Sequence, residues 1–263
     1  MTGGVGGPRR VVCLTAETTE IAFAVGCGER VVGVSGYAVR PPEARKKPKV
    51  AAFATAHVDR ILALKPDLVL GFSDLQADIA RDLIRAGVAV FVTNQRTLAE
   101  TYAAIQMIGA VLGQPTEGRR LANELEASLE GLRAAANGNP RRPRVYFEEW
   151  DEPLISGIAW VGELIELCGG VDIFSTVRGA SATQRLVAAA DVIARDPEVI
   201  VASWCGKKAR LEKIAARPGW AEITAVRHGA LHELKAPDIL QPGPSLIRGA
   251  RLLAGFVAAA ARR

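Results

Sequence analysis

Residues 61–72 read ILALKPDLVLGF, and residues 192–203 read VIARDPEVIVAS. Each runs through the end of a helix, a proline, an acid and an apolar, β-branched run. A proline turns the residue before it away from helical geometry. A short apolar run bounded in this way is a buried strand. Pro66 and Pro197 set an offset of 131 residues (197 − 66). A second pair, EIAFAVGCGERVVGV (20–34) and ELIELCGGVDIFS (163–175), matches at a similar offset, with a helix ended by Cys and Gly in both. Two matches predict two like α/β lobes.

The rest of the chain extends the pattern. VVCL (11–14), RVVGVS (30–35) and VAVFVT (88–93) read as strands, and Thr18 to Val25 and Asp74–Ala86 as helices. The order β-α-β predicts a mostly parallel sheet covered by helices. From Thr97 to Ala136 strand signals vanish and two helix faces follow one another. The second helix, of about 20 residues, is about 30 Å long. Strands then resume with PRVYFEEW (143–150). The expected organisation is a flexible N-terminus (1–9), a first lobe (10–114), a rigid linking helix (115–138) and a second lobe (139–263), with a cleft between the lobes. Ligands of open α/β sheets sit at the carboxyl ends of the strands.

Composition narrows the function. The chain has 263 residues, 49% of them apolar, and a net charge of +5 without long basic runs. With aromatics at 5%, nucleic-acid stacking surfaces are not expected. Nor is membrane insertion, since the longest apolar run, Leu252–Ala261, is too short to span a bilayer. No signal peptide is visible, so a cytoplasmic location is expected. Cys13, Cys27, Cys168 and Cys205 have no C-x-x-C spacing, which argues against zinc. His228 and His232, in HGALHEL, read as one strand, about 13 Å apart and unable to share a metal. No metal site is expected.

The large rings gather where strands end. Tyr37, Phe72, Trp150 and Trp204 each follow a strand, Phe53 precedes the helix near 57, and Trp160 opens the helix of the second lobe. Rings facing a cleft suit a broad, flat, partly apolar ligand. The acids Glu148, Glu149, Asp151 and Glu152 are the one place an enzyme could keep a base. There is no GxSxG, P-loop or GxGxxG motif, so binding without catalysis is expected.

The phrase LTAETTEIAFAVGCGERVVGVSGY (14–37), with ILALKPDLVLGF, ELIELCGG and LQPGPSLIRGARLLA (240–254), resembles class III, helical-backbone solute-binding proteins over about residues 9–260. Tyr37, Phe53, Trp150 in its Glu-Glu-Trp-x-Glu-Pro setting, and Gln241-Pro242-Gly243-Pro244 resemble the vitamin B12-binding (BtuF-type) branch. The resemblance implies cobalamin as bound ligand. Tyr37 and Phe53 would lie on one side of the corrin and Trp150, Trp160 and Trp204 on the other. Phe72 and Gln241 would also line the site. It further implies an ABC permease as partner, met by Asp59 on the first lobe. Ala16 stands where the family has Pro, and Ile158-Ala159 where the second docking acid is expected. Cys168 has no later Cys to pair with beyond Cys205. With no export signal visible, these departures favour a cytoplasmic corrinoid carrier, the alternative being an extracytoplasmic importer component. A monomer is expected. Ferric siderophore is the alternative ligand, through Arg178, Arg185 or Arg227. Haem is disfavoured, because Phe53 stands where haem-binding relatives offer Tyr.

Overall fold

The computed structural model describes residues 7–179 and 181–263. The chain packs as two compact units. One comprises residues 7–126 with Pro242–Pro244, and the other residues 127–241 with 245–263.

The first unit runs β1 (Val11–Cys13), α1 (Ala16–Ala24), β2 (Val31–Ser35), β3 (Lys49–Ala51), α2 (Val58–Ala63), β4 (Leu68–Phe72), α3 (Ala77–Arg85) and β5 (Val90–Thr93). The strands form one sheet in the order β3-β2-β1-β4-β5, every neighbour parallel. The order reverses direction at β1, so the switch point lies there. β1 and β4 are buried throughout, as strands covered on both faces must be, which is why both read as unbroken apolar runs. Val12, Leu14, Ile61, Val69 and Leu83 make the core of this unit.

Two helices follow, α4 (Leu98–Val111) and α5 (Pro115–Ala136). Thr97 and Glu100 start α4 with a reciprocal capping box. The helices cross at Gly109 and Gly118, where a Cβ on Gly109 would stand 2.6 Å from the Cα of Gly118. The expected linking helix is thus shared. Its residues up to Glu126 belong to the first unit and those from Ala127 to the second.

The second unit contains β6 (Arg144–Asp151), β7 (Leu154–Ser156), α6 (Ala159–Leu167), β8 (Val171–Asp172), α7 (Ala189–Arg195), β9 (Val199–Ala202), α8 (Leu211–Ala215), α9 (Thr224–Arg227), β10 (Leu231–Glu233), α10 (Ala236–Ile239) and α11 (Leu246–Ala261). Its sheet runs β10-β9-β6-β7, with β8 beside the start of β6. Only the β6–β7 pair is antiparallel. Tyr146, Phe174, Ile200 and Trp220 anchor the core.

One expectation fails locally. HGALHEL is not a single strand. His228 caps α9, Gly229 turns the chain at φ +63°, and only Leu231–Glu233 pairs with β9. A left-handed residue ends the extended geometry that a strand through both histidines needs. His232 instead stacks on Phe256 at 3.9 Å.

Candidate ligand-binding site

Two rings of the expected set are accessible in the first unit. Tyr37 follows β2, and its phenol side chain is 47% exposed. Phe53, two residues beyond β3, is half-buried. Its ring lies 6.4 Å from that of Phe72, tilted by 50°. Phe72 itself is the last residue of β4 and is buried. Its outer side carries the Arg96 guanidinium at 5.3 Å, and Arg96 pairs with Asp74 at 2.8 Å. Gln76 fixes this group. Its Oε1 accepts from the Phe72 N–H (3.1 Å), and its Nε2 donates to the Phe53 carbonyl (2.8 Å). The buried amide therefore ties the Phe53 loop to the end of β4. No pattern in the sequence singles out Gln76, since both its partners are backbone groups.

The second unit presents Trp150. It lies within β6, opposite Ile155 of β7 in an antiparallel hairpin, and not in a loop after the strand. Its Nε1 donates to the Glu152 carbonyl at 2.9 Å. One face of the indole carries the Lys207 ammonium, 3.9 Å from the ring centroid. Lys207 also stands 4.8 Å from the centroid of Trp204 and donates to Asp151 Oδ1 at 2.6 Å. A cation held between two indoles and a carboxylate fixes the Trp150 ring before any ligand arrives.

Trp160 and Trp204 differ from expectation. Trp160 is 2% exposed, and its Nε1 donates to the Ile239 carbonyl at 2.9 Å. Trp204 is 3% exposed and donates to Glu148 Oε1 at 3.1 Å. Both are core residues of the second unit. Helix α6 starts at Ala159, and its first turn buries Trp160. With Phe72 also buried, the accessible rings of the expected set are Tyr37, Phe53 and Trp150.

The acid cluster is neutralised residue by residue. Glu148 is fully buried and takes Arg217 (Nη2–Oε1 2.9 Å) as well as Trp204. Glu149 receives Arg185 through both terminal nitrogens, at 2.6 and 3.0 Å. Burial acts to raise the Asp151 pKa, but the Lys207 hydrogen bond and charge outweigh it and hold that carboxyl below its ordinary value. Carboxylates committed to arginine and lysine partners in this way are structural anchors. Glu152 alone points into solvent. The three counter-cations come from segments 36 to 69 residues further on, so their pairing was not visible in local sequence.

Other candidates separate in the same way. Arg185 is buried on Glu149, and Arg178 bonds Glu166 at 2.7 Å. Arg227 is exposed beside Thr224. Cys205 is exposed, and partial desolvation of its sulfur, followed by the charge of Glu149, raises its pKa, against a reactive thiol. Cys168 donates to the Ala250 carbonyl of α11 at 3.4 Å. Gln241 is half-buried, and its Oε1 has no hydrogen-bond partner among the described residues. Asp59 is exposed in the first turn of α2, whereas Ile158 and Ala159 are buried. Among the described residues no group of three or more His, Cys, Asp or Glu is placed to hold a metal, and no helix is long and apolar enough to cross a membrane.

The sequence pattern of a family described as "Periplasmic binding protein" matches residues 11–237. A vitamin B12-binding protein of Vibrio cholerae is 30% identical over 240 residues, 89% of this chain and 84% of its own length. An uncharacterized ABC transporter substrate-binding lipoprotein of Bacillus subtilis is 28% identical over 94% of this chain and 79% of its own. Among solved structures, the periplasmic vitamin B12-binding protein BtuF of Vibrio cholerae superposes with a TM-score of 0.79 at 26% identity, covering 98% of this chain and 99% of its own. The periplasmic heme-binding protein RhuT of Roseiflexus gives 0.84 at 26% identity, covering 97% and 100%. The chain therefore belongs to the periplasmic binding protein family, whose members bind solutes and do not catalyse reactions.

Proposed function

We propose that this binding protein takes cobalamin, or a close corrinoid, as the substrate-binding component of an ABC importer, working outside the cytoplasm. The observation that carries the reading is the Trp150 ring, accessible yet held by its own N–H and by Lys207. A pre-positioned aromatic surface loses little freedom on binding a flat ligand. Tyr37 and Phe53 are the accessible rings of the expected set in the first unit. The similarity to vitamin B12-binding proteins supports the same ligand. Phe72 packs beside Phe53, and Trp204 shares Lys207 with Trp150.

The siderophore alternative keeps only Arg227, because Arg178 and Arg185 are paired with Glu166 and Glu149. Haem is the second reading. The exposed Tyr37 phenol is a group that haem iron takes as an axial ligand, and RhuT is a structural relative.

The test is a titration with cyanocobalamin, followed by tryptophan fluorescence and the corrin visible band, with haem and a ferric siderophore alongside. Saturable quenching with a shifted corrin band is expected for cobalamin. Trp150→Ala is expected to weaken that binding about tenfold or more, as loss of an aromatic anchor does, with the circular dichroism spectrum unchanged. Saturable binding of haem or siderophore with none of cobalamin overturns the ligand assignment. An unchanged affinity in Trp150→Ala overturns the site.

A further inference from the structure

β9 ends at Ala202, and the chain turns back on itself before Lys207. Gly206 adopts φ +76°, and the Lys207 N–H donates to the Trp204 carbonyl at 3.4 Å. The turn lays the Lys207 ammonium against the indoles of both Trp204 and Trp150. An ammonium has three N–H donors. Asp151 Oδ1 takes one, and no other acceptor among the described residues meets Lys207 Nζ. The side chain is 41% exposed, so the remaining donors are open to solvent beside the Trp150 ring. The arginines nearby differ. Arg185 and Arg217 each commit both terminal nitrogens to one carboxylate.

Asp151 does not cancel the charge of this segment. Residues 207–213 read KKARLEK, four cations and one acid. With Asp151 counted, the balance is +2 (4 − 2). Lys208 and Arg210 are exposed and form no ion pair among the described residues. Lys213 is exposed as well. Burial acts to raise the Asp151 pKa, and the charges of both Lys207 and Lys213 act against it. A carboxylate met by two lysines leaves positive potential beside the indoles, and the apolar rings limit the water that would weaken it.

Holding a flat neutral ligand needs the rings alone. An ammonium with open donors at the same surface fits a ligand that also carries an anionic arm. A corrin ring is bordered by neutral amides. The anionic group of a complete cobalamin is the phosphodiester of its nucleotide loop, and cobinamides lack that loop. We propose, on the cobalamin reading above, that Lys207 is a specificity-determining residue that donates to this phosphodiester, so that the protein selects complete cobalamins over cobinamides. Asp151 holds the ammonium in place before the ligand arrives, and the phosphodiester takes a donor that water had held. A charged acceptor makes the stronger hydrogen bond, so the exchange favours the ligand. Trp150 serves the ring and Lys207 the arm.

The test compares cyanocobalamin with dicyanocobinamide by calorimetric titration of the full chain, as wild type and as Lys207→Met, at low and high salt. Wild type is expected to bind cyanocobalamin more tightly, with a preference that shrinks as salt rises. Lys207→Met, with an unchanged circular dichroism spectrum, is expected to weaken cyanocobalamin binding about tenfold, the effect of one charge-assisted hydrogen bond. For dicyanocobinamide the expected loss is about twofold or less, through the Trp150 ring alone. Trp150→Ala is expected to weaken both ligands alike. A Lys207→Met variant that loses both ligands equally makes Lys207 a support for Trp150 and overturns the proposal. So does an unchanged affinity for cyanocobalamin, and so does a preference indifferent to salt. Wild-type protein that binds neither corrinoid sinks the cobalamin reading itself, whereas equal binding of both sinks the role of Lys207 alone.

Discussion

Glu17 lies in the first turn of α1 and is buried, and one of its carboxylate oxygens has no hydrogen-bond partner among the described residues. A helix N-terminus favours negative charge, but desolvation wins. Burial, helped by the charge of Glu20, raises its pKa from the ordinary 4.5 to about 7 despite the opposing hydrogen bond from Thr15. The folded protein thus holds a proton at Glu17 that the unfolded chain has released between these values. The stability that depends on this proton is present below about 4.5 and is lost as pH rises through about 7. Thermal unfolding is expected to shift down by a few degrees across that window, and Glu17→Gln is expected to remove this part of the slope. An identical pH profile in the variant refutes the assignment. The tryptophans make a second residue-scale contrast. Trp160→Ala empties a buried, hydrogen-bonded site and is expected to cost roughly 3–5 kcal/mol of stability, read from the denaturant midpoint. Trp150→Ala is expected to cost far less.

At the scale of elements, the crossing of α4 and α5 is the sharpest constraint. Gly118 meets the Cα of Gly109 and the carbonyls of Ile105 and Gln106, all backbone atoms that cannot step aside. Gly118→Val is expected to push the helices apart and destabilise the fold by about 1–3 kcal/mol, as overpacking does, read from the urea midpoint. Elements with strong local signals were legible in the sequence. ILALKPDLVLGF declared the end of α2 and all of β4, and VIARDPEVIVAS declared α7 and β9. Short pieces were not. β3, β7 and β8 span three residues or fewer, too few for a period to show, and tertiary pairing alone makes them strands. The hairpin of β6 and β7 sets Trp150 within the sheet, opposite Ile155, a pairing that the local sequence did not show. Ring positions relative to strand ends were legible, and ring burial was not. Trp160 and Trp204 turn inward because of partners at Ile239 and Glu148, 79 and 56 residues away.

At the scale of the whole molecule, the internal repeat foretold two units of the same class, and the family comparison agrees. Transport is the activity that tests the chain entire. Asp59 is exposed in the first turn of α2. If it docks on a permease, Asp59→Ala lowers ligand uptake in a reconstituted importer while leaving cobalamin affinity unchanged. Equal uptake by the variant removes Asp59 from the partner surface. The buried Ile158 and Ala159 offer no acid at the matching place in the second unit, so a one-sided charge contact is expected to respond less to salt than a paired one.

The return of Pro242–Pro244 to the first unit governs how the protein can be cut. This three-residue segment receives the Gln95 amide on the Pro242 carbonyl at 3.3 Å and lays Gly243 against Glu17. The first part of the gene alone therefore does not encode the whole of the first unit. A fragment ending at Glu126 lacks the staple that covers its own buried glutamine and glutamate. The complementary fragment carries that staple with nothing beneath it. Split at α5, the first piece should recover its structure only when mixed with the second, which supplies the part that the first unit is missing.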